Sequence, residues 1–164
     1  MTHGCKPRRI RWQPTDPIAL AYKRAALVTA SELASITAPL EVALKALREG
    51  AATEWHWSLL ASAINCAMAI EKQGVVKGLH AELRAAELAL ESIACRANAG
   101  GAWQATAPYY VELDAIETAI KLHKFQLRKL SGGEVIKALD YAEAKVRNSG
   151  GKALANNHKV QHVR

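Results

Sequence analysis

Apolar residues recur at three- and four-residue spacings along most of this chain, the period of a helix with one buried face. Asp16-Pro17 sets an N-cap before proline at the first helical position and opens a helix running to about Val28. Thr29-Ala-Ser-Glu32 has capping-box spacing, and Leu33, Ile36, Leu40, Leu44 and Leu47 keep one phase up to Gly50. Pro39 removes a backbone donor inside that stripe, but the phase continues across it, so the pattern predicts one kinked helix. Thr53 caps a third helix lined by Trp57, Leu60, Ile64 and Met68 and stopped by Gly74, with Val75 to Gly78 as the turn. A fourth carries Leu79, Leu83, Ala86, Leu90 and Ile93 up to Gly100-Gly101. After a loop bearing Trp103, Thr106 and Pro108 start a fifth helix lined by Tyr109, Leu113, Ile116, Ile120 and Leu127. Ser131 to Glu134 opens a last one with Val135, Leu139, Ala142 and Val146.

No run alternates between apolar and polar residues, which argues against a sheet. Amphipathic helices joined by short turns predict an all-α bundle of about five to six helices. At 164 residues the chain suits one domain able to build a core without disulfides or metal. Its apolar stretches are too short for a membrane span, and no apolar segment of signal-peptide length follows the basic start. Three widely spaced cysteines, Cys5, Cys66 and Cys95, fit a reducing compartment better than a disulfide framework, so a cytoplasmic protein is expected.

Dividing the net charge of +7 along the chain changes the picture. Residues 1–24 hold six basic residues against Asp16, and residues 148–164 hold three with no acid. The 13 basic and 14 acidic residues between them leave that stretch at −1. This is the pattern of basic arms, residues 1–15 and 148–164, on a near-neutral body spanning residues 16–147. In the first arm, Lys6, Arg8, Arg9 and Arg11 alternate with Pro7 and Trp12, a composition suited to phosphates and base stacking.

Leu130-Ser-Gly-Gly-Glu134 resembles the LSGGQ signature of ATP-binding cassette ATPases. A protein of that family needs a Walker loop, and no G-x-x-x-x-G-K-[ST] occurs here. The segment reads instead as a capping box. Free N–H groups at such a glycine-flanked start also attract anions, and Lys121, Lys124, Arg128 and Lys129 lie close by in sequence. The same cations also suit the dipole of their own helix C-terminus.

Other chemistries lack their anchors. His80-Ala-Glu82 matches the H-x-E fragment of zinc deaminases, but the P-C-x-x-C half is missing. There is no C-x-x-C, H-E-x-x-H, G-x-S-x-G or G-x-G-x-x-G, so neither metal nor cofactor is expected. His123 is a candidate for acid–base pairing with Asp114 or Glu117, against the plainer reading of a boundary residue. Trp55-His56-Trp57 places two indoles that cannot share one seam, so Trp55 is expected near the surface. Trp55, Trp57 and Trp103 are the candidate partner-interface residues, because tryptophan dominates binding hot spots.

Several short elements also form a series. Lys6-Pro-Arg-Arg, Asp16-Pro17, Leu47-Arg-Glu-Gly50, Ala52-Thr53, Trp57-x-x-Leu60, Ala63-x-Asn65, Arg96 before a glycine turn, Glu112-x-x-Ala115 and Gln126-Leu127 follow one another. In that order the chain resembles small all-helical proteins encoded by proteobacterial phages and prophages, over most of residues 6–147. The resemblance implies a mobile-element protein in a bacterial cytoplasm acting on a host system; it implies no activity and no site residues. The expected function is binding rather than catalysis, with self-association. Lys6, Arg8, Arg9, Arg11, Trp12, Lys124, Arg128 and Lys129 would hold nucleic acid or another polyanion. The alternative is an inhibitor of a host protein, such as an anti-defence factor of the anti-CRISPR type.

Overall fold

The computed structural model describes residues 16–148 as six helices: α1 (Pro17–Ala25), α2 (Ala30–Arg48), α3 (Glu54–Gln73), α4 (His80–Ala97), α5 (Tyr110–Leu127) and α6 (Gly132–Asn148). The all-α bundle is as expected. Among the described residues, the one β-type feature is an isolated bridge between Leu27 and Ser131.

Local chemistry accounts for the helix ends. Asp16 accepts from Ile18 N at 2.9 Å ahead of Pro17, and Thr29 with Glu32 forms the capping box of α2. Thr53 caps α3 with His56 taking the place of the usual acid, its Nδ1 lying 3.2 Å from Thr53 N. Gly74, at φ 84°, turns the chain out of α3, a conformation that glycine reaches without a Cβ penalty. Pro39 lies inside one continuous α2.

Three expected boundaries move. The first helix ends at Ala25 rather than near Val28, because residues 26–28 turn away to bond with residues 130–132. The fourth begins at His80 and ends at Ala97, before the glycine pair; Glu71 of α3 supplies its cap by accepting from Leu79 N at 2.8 Å. Thr106 does not cap α5. That role falls to Glu112, which accepts from Tyr109 N at 2.8 Å, while Thr106 Oγ1 is buried without a partner.

The ion pairs record the topology. Arg48 meets Glu117 while Glu41 meets Lys124, so α2 and α5 run antiparallel. Likewise Lys72 reaches Tyr141 and Asn65 reaches Lys145, which sets α6 antiparallel to α3. Helix α3 occupies the centre and packs against α2, α4, α5 and α6. Its buried residues divide between a large core with α2, α4 and α5 and a smaller one with Leu127, Leu130, Ala138 and Ala142. Two expected core positions fall outside: Ile36 on the first half of α2 and Tyr109, which precedes α5, are both exposed.

Helix α1 buries no residue and packs chiefly on α6. Its seat explains the glycine pair. Gly132 N donates to Ala26 O at 3.0 Å, Val28 N donates to Leu130 O at 3.1 Å, and a Cβ on Gly133 would stand 3.2 Å from Arg24 O. Alanine in a helix is favoured over glycine by about 1 kcal/mol, and the peripheral α1 is the element free to give way. Gly133→Ala should therefore leave the melting temperature unchanged or slightly higher while hydrogen exchange at Val28 and Gly132 accelerates about tenfold. A lowered melting temperature with faster exchange in α3 would show instead that α1 is integral to the core.

Candidate functional site

The arm residues Lys6, Arg8, Arg9, Arg11 and Trp12 lie outside the described residues, as does the tail after Asn148. The described cations fall into those with a carboxylate partner and those without. Arg48, Arg84, Arg96, Lys124 and Lys145 each reach a carboxylate within 4 Å, and Lys45 meets Glu49 at 3.9 Å. Lys23, Arg24, Lys72, Lys77, Lys121, Arg128, Lys129, Lys137 and Arg147 are exposed and form no ion pair among the described residues. The bonds between residues 26–28 and 130–132 bring the last turns of α1 and α5 to one end of the bundle. Four of these nine cations, Lys23, Arg24, Arg128 and Lys129, stand on those two turns or just beyond them.

Of the three cations expected on α5 and its end, Arg128 and Lys129 are available and Lys124 is not. Lys124 leans onto α2 and bonds Glu41. Lys121 takes its place on the outer face of α5, one turn before Phe125, a residue 47% exposed with Lys129 Nζ 5.7 Å from its ring centroid. Sequence reasoning passed over Phe125. The signal was its spacing from the polar positions Lys121 and Arg128, which puts it on the stripe opposite Ile116, Ile120 and Leu127.

The anion site considered at Ser131–Glu134 is not formed. Ser131 and Glu134 complete the capping box, Ser131 N donating to Glu134 Oε2 at 2.7 Å, and the last carbonyls of α1 lie over the two glycines. The negative end of one helix therefore covers the positive end of the other.

Aromatic residues gather at the opposite end. Trp57 Nε1 donates to Leu90 O at 2.8 Å, and Trp103 Nε1 donates to Ala52 O at 2.9 Å. Their rings lie 6.1 Å apart, so this half-buried pair ties the loop after α4 to the start of α3. Trp55 remains on the surface, as expected, at 54% exposure. Tyr109, Tyr110 and Val111 are exposed at the start of α5. Behind them Arg96 bonds both oxygens of Glu112, at 2.7 and 2.5 Å, with the Tyr109 ring 4.4 Å from its guanidinium carbon. That bidentate contact is the main reason the Glu112 carboxyl is held down to about 2.

Several candidate chemistries find no support in the geometry. His123 is sealed at 3% exposure and pairs with neither expected acid; Glu117 is held by Arg48 at 2.7 Å and Asp114 is exposed. Burial pushes the Cys66 thiol up to about 12, far from thiolate chemistry at neutral pH. His80 Nδ1 stands 3.7 Å from Glu71, and no group of three His, Cys, Asp or Glu residues among those described is placed to hold a metal ion. No described helix is long and apolar enough to cross a membrane. Set against protein-family models, curated proteins and solved structures, the chain matches none of them.

Burial, offset only in part by Gln126, lowers the His123 pKa from 6.5 to about 4. Between those values the unfolded chain takes a proton that the folded chain refuses, so stability is full above pH 6.5 and is lost as pH falls toward 4. The loss should approach about 3 kcal/mol. Urea titrations across this range should show the decline in the native chain and a flatter profile in His123→Phe. Matching profiles would put the acid sensitivity elsewhere. The Glu112 contribution is separate, because it is lost only as pH falls from 4.5 toward 2.

Proposed function

We propose that this is a non-enzymatic binding protein of the phage or mobile-element type that holds a polyanion, nucleic acid or a phosphorylated ligand. The observation that carries this reading is the segregation of unpaired cations. Around the aromatic end the cations are spent on carboxylates, whereas Lys23, Arg24, Arg128 and Lys129 stand unpaired at the opposite end. The first arm adds Lys6, Arg8, Arg9 and Arg11 immediately before α1. Phosphate contacts of this kind give affinity that falls steeply with salt and carries little sequence preference.

The full chain should therefore bind random oligonucleotides at low salt, with a log–log salt slope of roughly −0.9 per neutralised phosphate on duplex and −0.7 on single strands. Arg128→Ala and Lys129→Ala should each weaken binding across all sequences and make the slope shallower by about one. The triple variant Arg8→Ala/Arg9→Ala/Arg11→Ala should do so by up to about three. Absence of binding at low salt, or slopes untouched by these changes, would sink the proposal.

The aromatic end favours a second reading, in which the chain inhibits a host protein. Trp55, Tyr109, Tyr110 and Val111 are exposed together there, and Trp and Tyr are typical anchors of protein interfaces. On this reading a host partner remains bound in about 1 M salt, where charge is screened within about 3 Å. It is released by Trp55→Ala/Tyr110→Ala. A complex that dissolves in salt and ignores both substitutions would count against it.

A further inference from the structure

We propose that the outer face of α5, centred on Phe125, is a stacking site for single-stranded nucleic acid; this rests on the polyanion reading and narrows its ligand. Phe125 is the chain's one phenylalanine, and it stays outside a core that lacks for large aromatic fillers. Its place on α5 is fixed by the helix itself. Ile116, Ala119, Ile120, His123 and Leu127 face inward, which leaves Lys121, Phe125 and Arg128 at i, i+4 and i+7 along one outward stripe.

Lys129 follows one turn beyond Phe125, with Nζ 5.7 Å from the ring centroid. The stripe from Lys121 to Lys129 spans about 12 Å of helix axis, cation at either end and phenyl ring between. Charge complementarity names the occupant's backbone and the ring names the rest. Three cations that form no ion pair among the described residues meet phosphates, while an exposed aromatic face takes an unpaired base. A duplex offers this convex surface its phosphates only, since its bases are stacked on one another. Single strands should therefore use both parts of the stripe and duplex only one.

The test uses the full chain, a fluorescein-labelled oligothymidylate and a DNA hairpin with as many phosphates, followed by anisotropy. Phe125→Ala should weaken the single strand about tenfold and leave the hairpin within about twofold. Phe125→Tyr should restore the single strand, which separates stacking from a general loss of structure. Lys121→Ala should lower the salt slope on both ligands. If both ligands bind and Phe125→Ala affects neither, or both alike, the stacking site is overturned while the polyanion reading stands. Failure of the unaltered chain to bind either ligand at low salt overturns both.

Discussion

Everything in this fold depends on one helix being enclosed by four others. Helices that pack closely keep their axes about 8–10 Å apart, so a central helix must carry a thin coat of side chains on more than one side. Helix α3 meets this with Ala61, Ala63, Ala67 and Ala69 set among Leu60, Ile64 and Ile70. Ala67 and Ile70 are fully enclosed, and the neighbouring Cys66 fills a site where its thiol is a small apolar group. A larger residue at Ala67 would have no free direction to take. The alanine-rich composition of the chain follows from this packing rather than from helix propensity alone.

Two buried polar side chains stand where the apolar core divides. Gln126 Nε2 donates to Ala67 O at 3.0 Å, and Ala67 belongs to the larger cluster while Leu127, beside Gln126, belongs to the smaller. Gln126 Oε1 and His123 Nδ1 remain buried without a partner. Such atoms carry a desolvation cost of about 1–3 kcal/mol each, so this junction is a weak point in an otherwise apolar interior. The gain is in register. A hydrogen bond reaching from α5 to one carbonyl of α3 fixes how the two helices slide, which alanine surfaces alone leave loosely specified.

Helix number and most caps were legible because they depend on neighbours in sequence. Asp16-Pro17, Thr29 with Glu32, Thr53, Gly74 and Ser131 with Glu134 act over a few residues and are where the pattern places them. The misplaced features depend on distant residues. Glu71 caps α4 across the 74–78 turn, and α1 stops early because residues 26–28 pair with residues 130–132. The candidate site divides in the same way. Arg128 and Lys129 were readable as cations after a helix, but the loss of Lys124 to Glu41 needed α2 in place. Phe125 was hidden because one aromatic among cations has no meaning until its face of the helix is known.

The two ends of the bundle differ in how their charges and chain are held, and that difference bears on function. At one end Arg96 and Glu112 form a bidentate pair, and Trp57 and Trp103 spend their N–H groups on backbone carbonyls. Those contacts hold the turns rigidly and leave aromatic surface at their rim. At the other end α1 rests on a glycine pair with no side chain buried. Glu32 and Glu134 serve there as helix caps and form no ion pair with Lys23 or Arg128, although the Thr29 hydrogen bonds, with help from Lys23, hold the Glu32 carboxyl below its usual range. Capping thus has a geometric consequence: the carboxylates that start α2 and α6 keep their charge but are fixed at N–H groups, so they form no close ion pair with the cations that follow α1 and α5. A near-neutral body thereby presents unpaired cations at one end without any excess of basic residues.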